Sequence, residues 1–251
     1  MTLTDADVAQ ILDRAVATID PMLDVLADSD PLSLKARTFA PASPRNCLDR
    51  TGLVAAGVLN VLDWPGTAGW DELPMRDRAD WWVSRIGLIT TGGVAFPSVF
   101  GAWTKKLPMS DYLGFGSQAL VLRAVAREYG VTSREAGVAM LASILFDRDL
   151  DDLPASSGDS VEPLTSSGDG SFVVRLWSLG RTLLNLSRAL GRRPGSPRLL
   201  GLLGWIPFVG GAASYLGEVI ALRHAARLCR EWIVAHPETV TPVASLDDQN
   251  A

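Results

Sequence analysis

Apolar positions recur at helical spacing along most of this chain. Val8, Ile11, Leu12, Val16, Ile19 and Leu23 form one such stripe. Thr4-Asp5-Ala6-Asp7 precedes it with N-cap chemistry, so a helix is expected here, which Pro21 either kinks or ends in favour of a second. Ser29 to Ser43 reads as a connection. Gly52 to Leu62 reads as a short apolar helix stopped by Trp64-Pro65-Gly66, and a further helix starts near Arg76 and runs through Trp81 and Trp82. Two strong helices are predicted over Asp111–Tyr129 and Ser133–Phe146, parted by Gly130, with Thr132-Ser133-Arg134-Glu135 supplying the cap of the second. Phe172–Leu190 is amphipathic. Phe172, Leu176, Leu179, Leu183, Leu186 and Leu190 share one face, and Ser178, Arg181, Asn185 and Arg188 lie opposite. A last long helix runs from Ala212 or Ser214 to Val234, closed by His236-Pro237, and the tail from Glu238 is expected to fray. Little alternates with period two. The expected fold class is therefore all-α, a helical bundle.

Two uncharged stretches interrupt this pattern, Ile86–Thr104 and Leu199–Gly217, each nineteen residues long. The second is long enough for a membrane span, but it carries five glycines and Pro207, and Glu218 follows at once. Three arrangements are open: a helical hairpin buried in protein, an insertion into a membrane interface, or a true span. Small residues let helices approach closely in either setting, so two glycine-rich helical hairpins are the expected form.

Charge divides the chain. The net charge is −5, yet residues 1–169 carry 14 basic and 23 acidic side chains, whereas Gly170–Gly217 holds six arginines and no acid. Such asymmetry marks an oriented surface. Residues 147–171 carry seven acids against one arginine and two Ser-Ser-Gly-Asp copies, the composition of a flexible acidic loop. That loop could cover the arginines in competition with lipid. Helix 172–190 thus has two readings, a membrane-surface element with its leucines at the acyl boundary or an ordinary helix docked on a core. The contact residues expected on the first reading are Arg181, Arg188, Arg192, Arg193 and Trp205. The partners it implies are an anionic membrane surface or a membrane protein complex. An apolar small molecule held between the two hairpins is the alternative. Nucleic acid is not expected, because no basic cluster is interleaved with polar and aromatic residues and the chain is acidic overall.

Catalytic chemistry is sparse. Pro44-Arg45-Asn46-Cys47-Leu48-Asp49-Arg50-Thr51-Gly52 shares Cys-Leu-Asp-Arg-Thr with the catalytic loop of the Sac-type phosphoinositide phosphatases. In that family the nucleophilic cysteine stands three residues earlier, where this chain has Pro44, and a Cys-x5-Arg loop started at Cys47 would place Leu53 at the arginine. A phosphatase acting at Cys47 is thus the remotest reading, and Asn46 or Asp49 reads better as a helix cap. His224 and Cys229, five residues apart, fit no metal spacing. Gly92-Gly93 and Gly210-Gly211 lack a following Lys-Ser/Thr, so no nucleotide loop is predicted. No cofactor and no catalytic residue are expected. Met1–Asp7 has no apolar segment and the two cysteines lie far apart, so a cytoplasmic setting is expected.

Two blocks together resemble the EcsC family. The first runs from Gly92-Gly93 and Pro97 through Lys106-Leu107-Pro108 to Leu122-Arg123-Ala124-Val125-Ala126-Arg127-Glu128-Tyr129-Gly130. The second runs from Trp205-Ile206-Pro207-Phe208-Val209-Gly210-Gly211 to Ala225-Ala226-Arg227. They cover about 85–146 and 199–230. Lys106 stands where the family carries an acid, and Ser214-Tyr215 where an asparagine is common. The expected organisation is a single helical domain over 1–251, with N-terminal helices over 1–84, a first family block over 85–146, the acidic loop over 147–171, and the basic helix with the second block over 172–234. The resemblance implies an all-helical protein and does not extend to the N-terminal 80 residues. It implies no catalytic residue. The family takes its name from a bacterial operon encoding an ATP-binding-cassette transporter, which links it to membrane complexes by analogy alone.

Overall fold

A computed structural model describes residues 3–28, 30, 34–39, 47–95, 110–150, 172–190 and 210–241. Among these residues every regular element is helical: α1 (Asp5–Asp28), α2 (Ala36–Phe39), α3 (Cys47–Val61), α4 (Ala68–Glu72), α5 (Met75–Ala95), α6 (Ser110–Glu128), α7 (Arg134–Phe146), α8 (Phe172–Ala189) and α9 (Gly210–Ala235), with a 3-10 turn over Pro237–Thr239. The all-α class holds. The chain divides into two compact units, residues 20–78 and residues 1–19 with 79–251.

The larger unit is arranged around α6, which packs most extensively against α8 and also against α7 and α9. From Phe115 to Ala126 every residue of α6 is buried. A helix closed on all sides needs small residues where its neighbours come near, and Gly116 meets that need. A Cβ there would lie 2.5 Å from the Leu176 carbonyl oxygen and 3.2 Å from the Gly180 amide nitrogen, so the backbones of α6 and α8 touch.

Arg123 is the largest of the fully buried side chains, at 1% exposure. Its guanidinium donates to the carbonyls of Val131 (3.0 Å) and Thr132 (2.9 Å), in the turn between α6 and α7. Gly137 on α7 leaves the space, since a Cβ there would sit 2.9 Å from Arg123 Nη1. The turn itself follows the sequence reading. Gly130 takes a positive φ of 85°, which glycine adopts without steric cost, and the Ser133 side chain caps α7 by accepting from the Ala136 amide at 3.1 Å.

Helix α1 starts in a reciprocal cap. Thr4 N–H and hydroxyl donate to Asp7 Oδ2 at 2.9 and 2.6 Å, and Asp7 N–H donates to Thr4 Oγ1 at 3.3 Å. These bonds hold the Asp7 carboxyl below its ordinary pKa. Asp13 and Asp5 pair with Arg134 and Arg148. Pro21 neither ends the helix nor starts another, and it lies on the exposed side, where water can reach the carbonyl it leaves unpaired. On α5, buried Trp82 donates its indole N–H to Glu128 Oε1 at 3.0 Å, at the end of α6. Helix α5 also continues through Thr90-Thr91-Gly92-Gly93 to Ala95.

In the unit of residues 20–78, buried Lys35 closes the end of α1 by donating to the carbonyls of Leu26 (2.8 Å) and Ala27 (2.7 Å). Burial lowers its pKa, partly offset by the charges of Asp30 and Asp28. Asp30 in turn accepts from the amides of Lys35 and Ala36 ahead of α2. Helix α3 begins at Cys47, five residues before the predicted start, and leaves Val54, Val58 and Val61 exposed on one face.

Two changes test this core. Gly116→Ala is expected to cost about 1–3 kcal/mol, the usual effect of overpacking, because backbone atoms cannot swing aside. Arg123→Met removes two charge-assisted hydrogen bonds and orphans two carbonyls, with an expected loss of about 3 kcal/mol. Urea unfolding measures both, and near-unchanged midpoints would show that neither contact limits the fold.

Candidate functional site

The charge asymmetry of the sequence falls on α8. Leu176, Leu179, Gly180, Leu183, Leu184, Leu186 and Ser187 are buried, and α6 is the helix they meet most. Of the two arrangements open for these leucines, the structure has the docked one. A face buried in protein is not available to acyl chains.

The opposite face carries Val174, Arg181, Asn185 and Arg188, all exposed, with Ser178 half-buried between them. No acidic residue occurs on the helix. Arg181 stacks its guanidinium over the Trp177 ring, one turn back, at 5.4 Å from the ring centroid. This cation–π contact steadies the arginine along the helix while leaving its donors to solvent. Arg188 occupies the last turn, where the partial negative charge of the helix end favours a cation. Arg175 is half-buried, and its Nε has no hydrogen-bond partner among the described residues. Trp177 was not expected as part of this face, although its spacing of four from Arg181 is a signal the sequence carries.

Of the predicted contact residues, Arg181 and Arg188 stand together on this face. Arg192, Arg193 and Trp205 lie outside the described residues, as do 151–171 of the acidic loop, 96–104 of the first uncharged run and 199–209 of the second. About half of the two hairpins that would enclose an apolar small molecule therefore lies outside them too. No helix among the described residues is long and apolar enough to cross a membrane.

Other candidate chemistry is dispersed. Among the described residues no three His, Cys, Asp or Glu side chains gather as metal ligands. His224 is exposed and Cys229 is fully buried. The Cys229 sulfur lies 3.7 Å from the Leu122 carbonyl oxygen and 3.4 Å from the Met140 sulfur. Burial pushes its thiol up to about 12, with Arg230 and Arg123 pulling weakly the other way. A nucleophilic cysteine needs the reverse, exposure and a stabilised thiolate. Cys47 opens α3 with helical backbone from its own position, which is not the loop that wraps a phosphate in the Cys-x5-Arg phosphatases.

No family model, curated protein or solved structure matches this chain.

The Cys229 shift fixes a pH dependence. The unfolded thiol ionises near 9.0, whereas the folded one holds its proton to about 12. The resulting stability is fully present below pH 9 and drains away as pH rises towards about 12. Denaturation of the chain and of Cys229→Ala at pH 7 and at pH 10.5 checks this. The advantage of the parent chain over the variant shrinks at the higher pH, and a constant gap would contradict the assignment.

Proposed function

We propose that this protein is a non-enzymatic accessory protein that associates peripherally with an anionic membrane surface, or with a membrane complex presenting one, through the outward face of α8. One observation carries the reading. Arg181 and Arg188 are exposed together on a helix without an acid, while its leucines are used up by the core. Two further arginines, Arg192 and Arg193, follow in the sequence before any acidic residue.

Attachment of this kind is electrostatic, without insertion of the leucines. Each arginine near an anionic surface contributes about 1 kcal/mol, so the pair strengthens binding roughly 30-fold. Screening over about 8 Å at physiological ionic strength makes that gain sensitive to salt. A cytoplasmic setting, facing the anionic leaflet, belongs to the same proposal. So does membership of the EcsC family. That part rests on the two resembling blocks of the sequence.

Co-sedimentation with vesicles tests the reading, using neutral and anionic lipid at low and high salt. Binding to anionic vesicles only, weakened by salt and reduced at least tenfold by the double change Arg181→Glu with Arg188→Glu, is the expected result. Equal binding to neutral vesicles, or an unaffected double variant, would overturn it.

A further inference from the structure

Helix α9 ends at Ala235, and Pro237, with no N–H to offer, stops its continuation. The chain does not leave the protein there. The His236 amide donates to the Trp232 carbonyl at 3.0 Å, and its ring stacks on the Trp232 indole with centroids 4.3 Å apart. Thr239 turns the chain by donating its hydroxyl to the His236 carbonyl at 2.7 Å. Val240 and Thr241 then cross the turn between α6 and α7. Thr241 N–H donates to the Gly130 carbonyl at 2.9 Å, and the hydroxyls of Thr241 and Thr132 share a 2.8 Å hydrogen bond. Val240 Cγ1 lies 3.1 Å from where a Gly130 Cβ would stand. The tail expected to fray is thus docked as far as Thr241.

The turn over 130–132 is consequently clasped twice. Arg123 holds Val131 and Thr132 from inside the core, and the strap over 240–241 holds Gly130 and Thr132 from outside. The two clasps differ in strength. The inner one is buried and charge-assisted, whereas the Thr132 and Thr241 hydroxyls are exposed, where water competes for the same bonds. Residues 236–241 also anchor the end of α9, whose Trp232 and Ile233 are buried one turn beyond Cys229.

We propose that residues 236–241 act as a conformational latch, whose release frees the last turns of α9 from α6 and α7 while the rest of the larger unit stays folded. The device is a local opening from the low-stability end of the structure, set by two exposed hydrogen bonds and one valine. It stands apart from the membrane reading, because it uses neither α8 nor any of its arginines. Opening travels from His236 back through Ile233 and Trp232 to Cys229, which makes that buried thiol a reporter.

The experiment measures maleimide labelling of Cys229 in the full chain, with Cys47→Ser leaving a single thiol. Thr241→Pro removes the amide donor, and extended Val240 before it tolerates a proline. Thr241→Pro also loses the hydroxyl pair, so labelling is expected to accelerate about thirtyfold, the effect of losing both hydrogen bonds, and to stay nearly flat across low urea, because a local opening exposes little surface. Thr132→Val, which keeps the amide bond and removes the hydroxyl pair, is expected to accelerate it less. An unchanged rate in Thr241→Pro, or labelling that rises across low urea as steeply as global unfolding does, would overturn the latch. Should Thr241→Pro fail to fold, Thr132→Val decides on the same two outcomes.

Discussion

The guanidinium of Arg123 is shut away from water, and much of the larger unit is shaped by that fact. A buried cation is tolerated only where fixed acceptors face it, so the chain must leave α6 in a turn whose carbonyls point back inward. Gly137 gives up its side chain to leave room, and Gly130 takes the backbone conformation that reverses the direction of travel. The position of α7 follows from these requirements. Helix α9 then lies against both helices, placing Cys229 between Leu122 and Met140.

The same core governs what the surface can offer. Because Gly116 lets α8 approach α6 backbone to backbone, the leucines of α8 are used internally, and the side left exposed carries Arg181, Asn185 and Arg188 with Val174 beside them. The face left to solvent offers mainly charge and, among the described residues, a single exposed valine, Val174. Selectivity for a surface would come from the density of negative charge on the partner, not from its hydrocarbon.

How far the sequence discloses this differs from element to element. The turn between α6 and α7 is legible, because glycine, threonine and serine act within a few residues of themselves. Both faces of α8 are legible for the same local reason, but the partner of its leucines is not. A leucine stripe carries the same pattern whether protein or lipid covers it. Arg123 reads as a polar position on an amphipathic helix, since nothing nearby shows that acceptors eight and nine residues on will enclose it. Thr241 is hidden more deeply, because its amide pairs with a carbonyl 111 residues earlier and the intervening composition only suggests a polar tail. Pro21 and the Thr90–Gly93 run look like stops but lie within helices, tertiary context overriding local preference.

Helix α6 has a history as well as a place. It leaves the ribosome carrying a stretch, Phe115 to Ala126, that is buried in the native protein, with only α7 close behind it in the chain. The end of α9 emerges about a hundred residues later, roughly 5–20 s at ordinary rates of synthesis. During that interval the face destined for α8 and α9 has no partner from its own chain. The helix at the centre of the larger unit is thus made well before the neighbours that cover it.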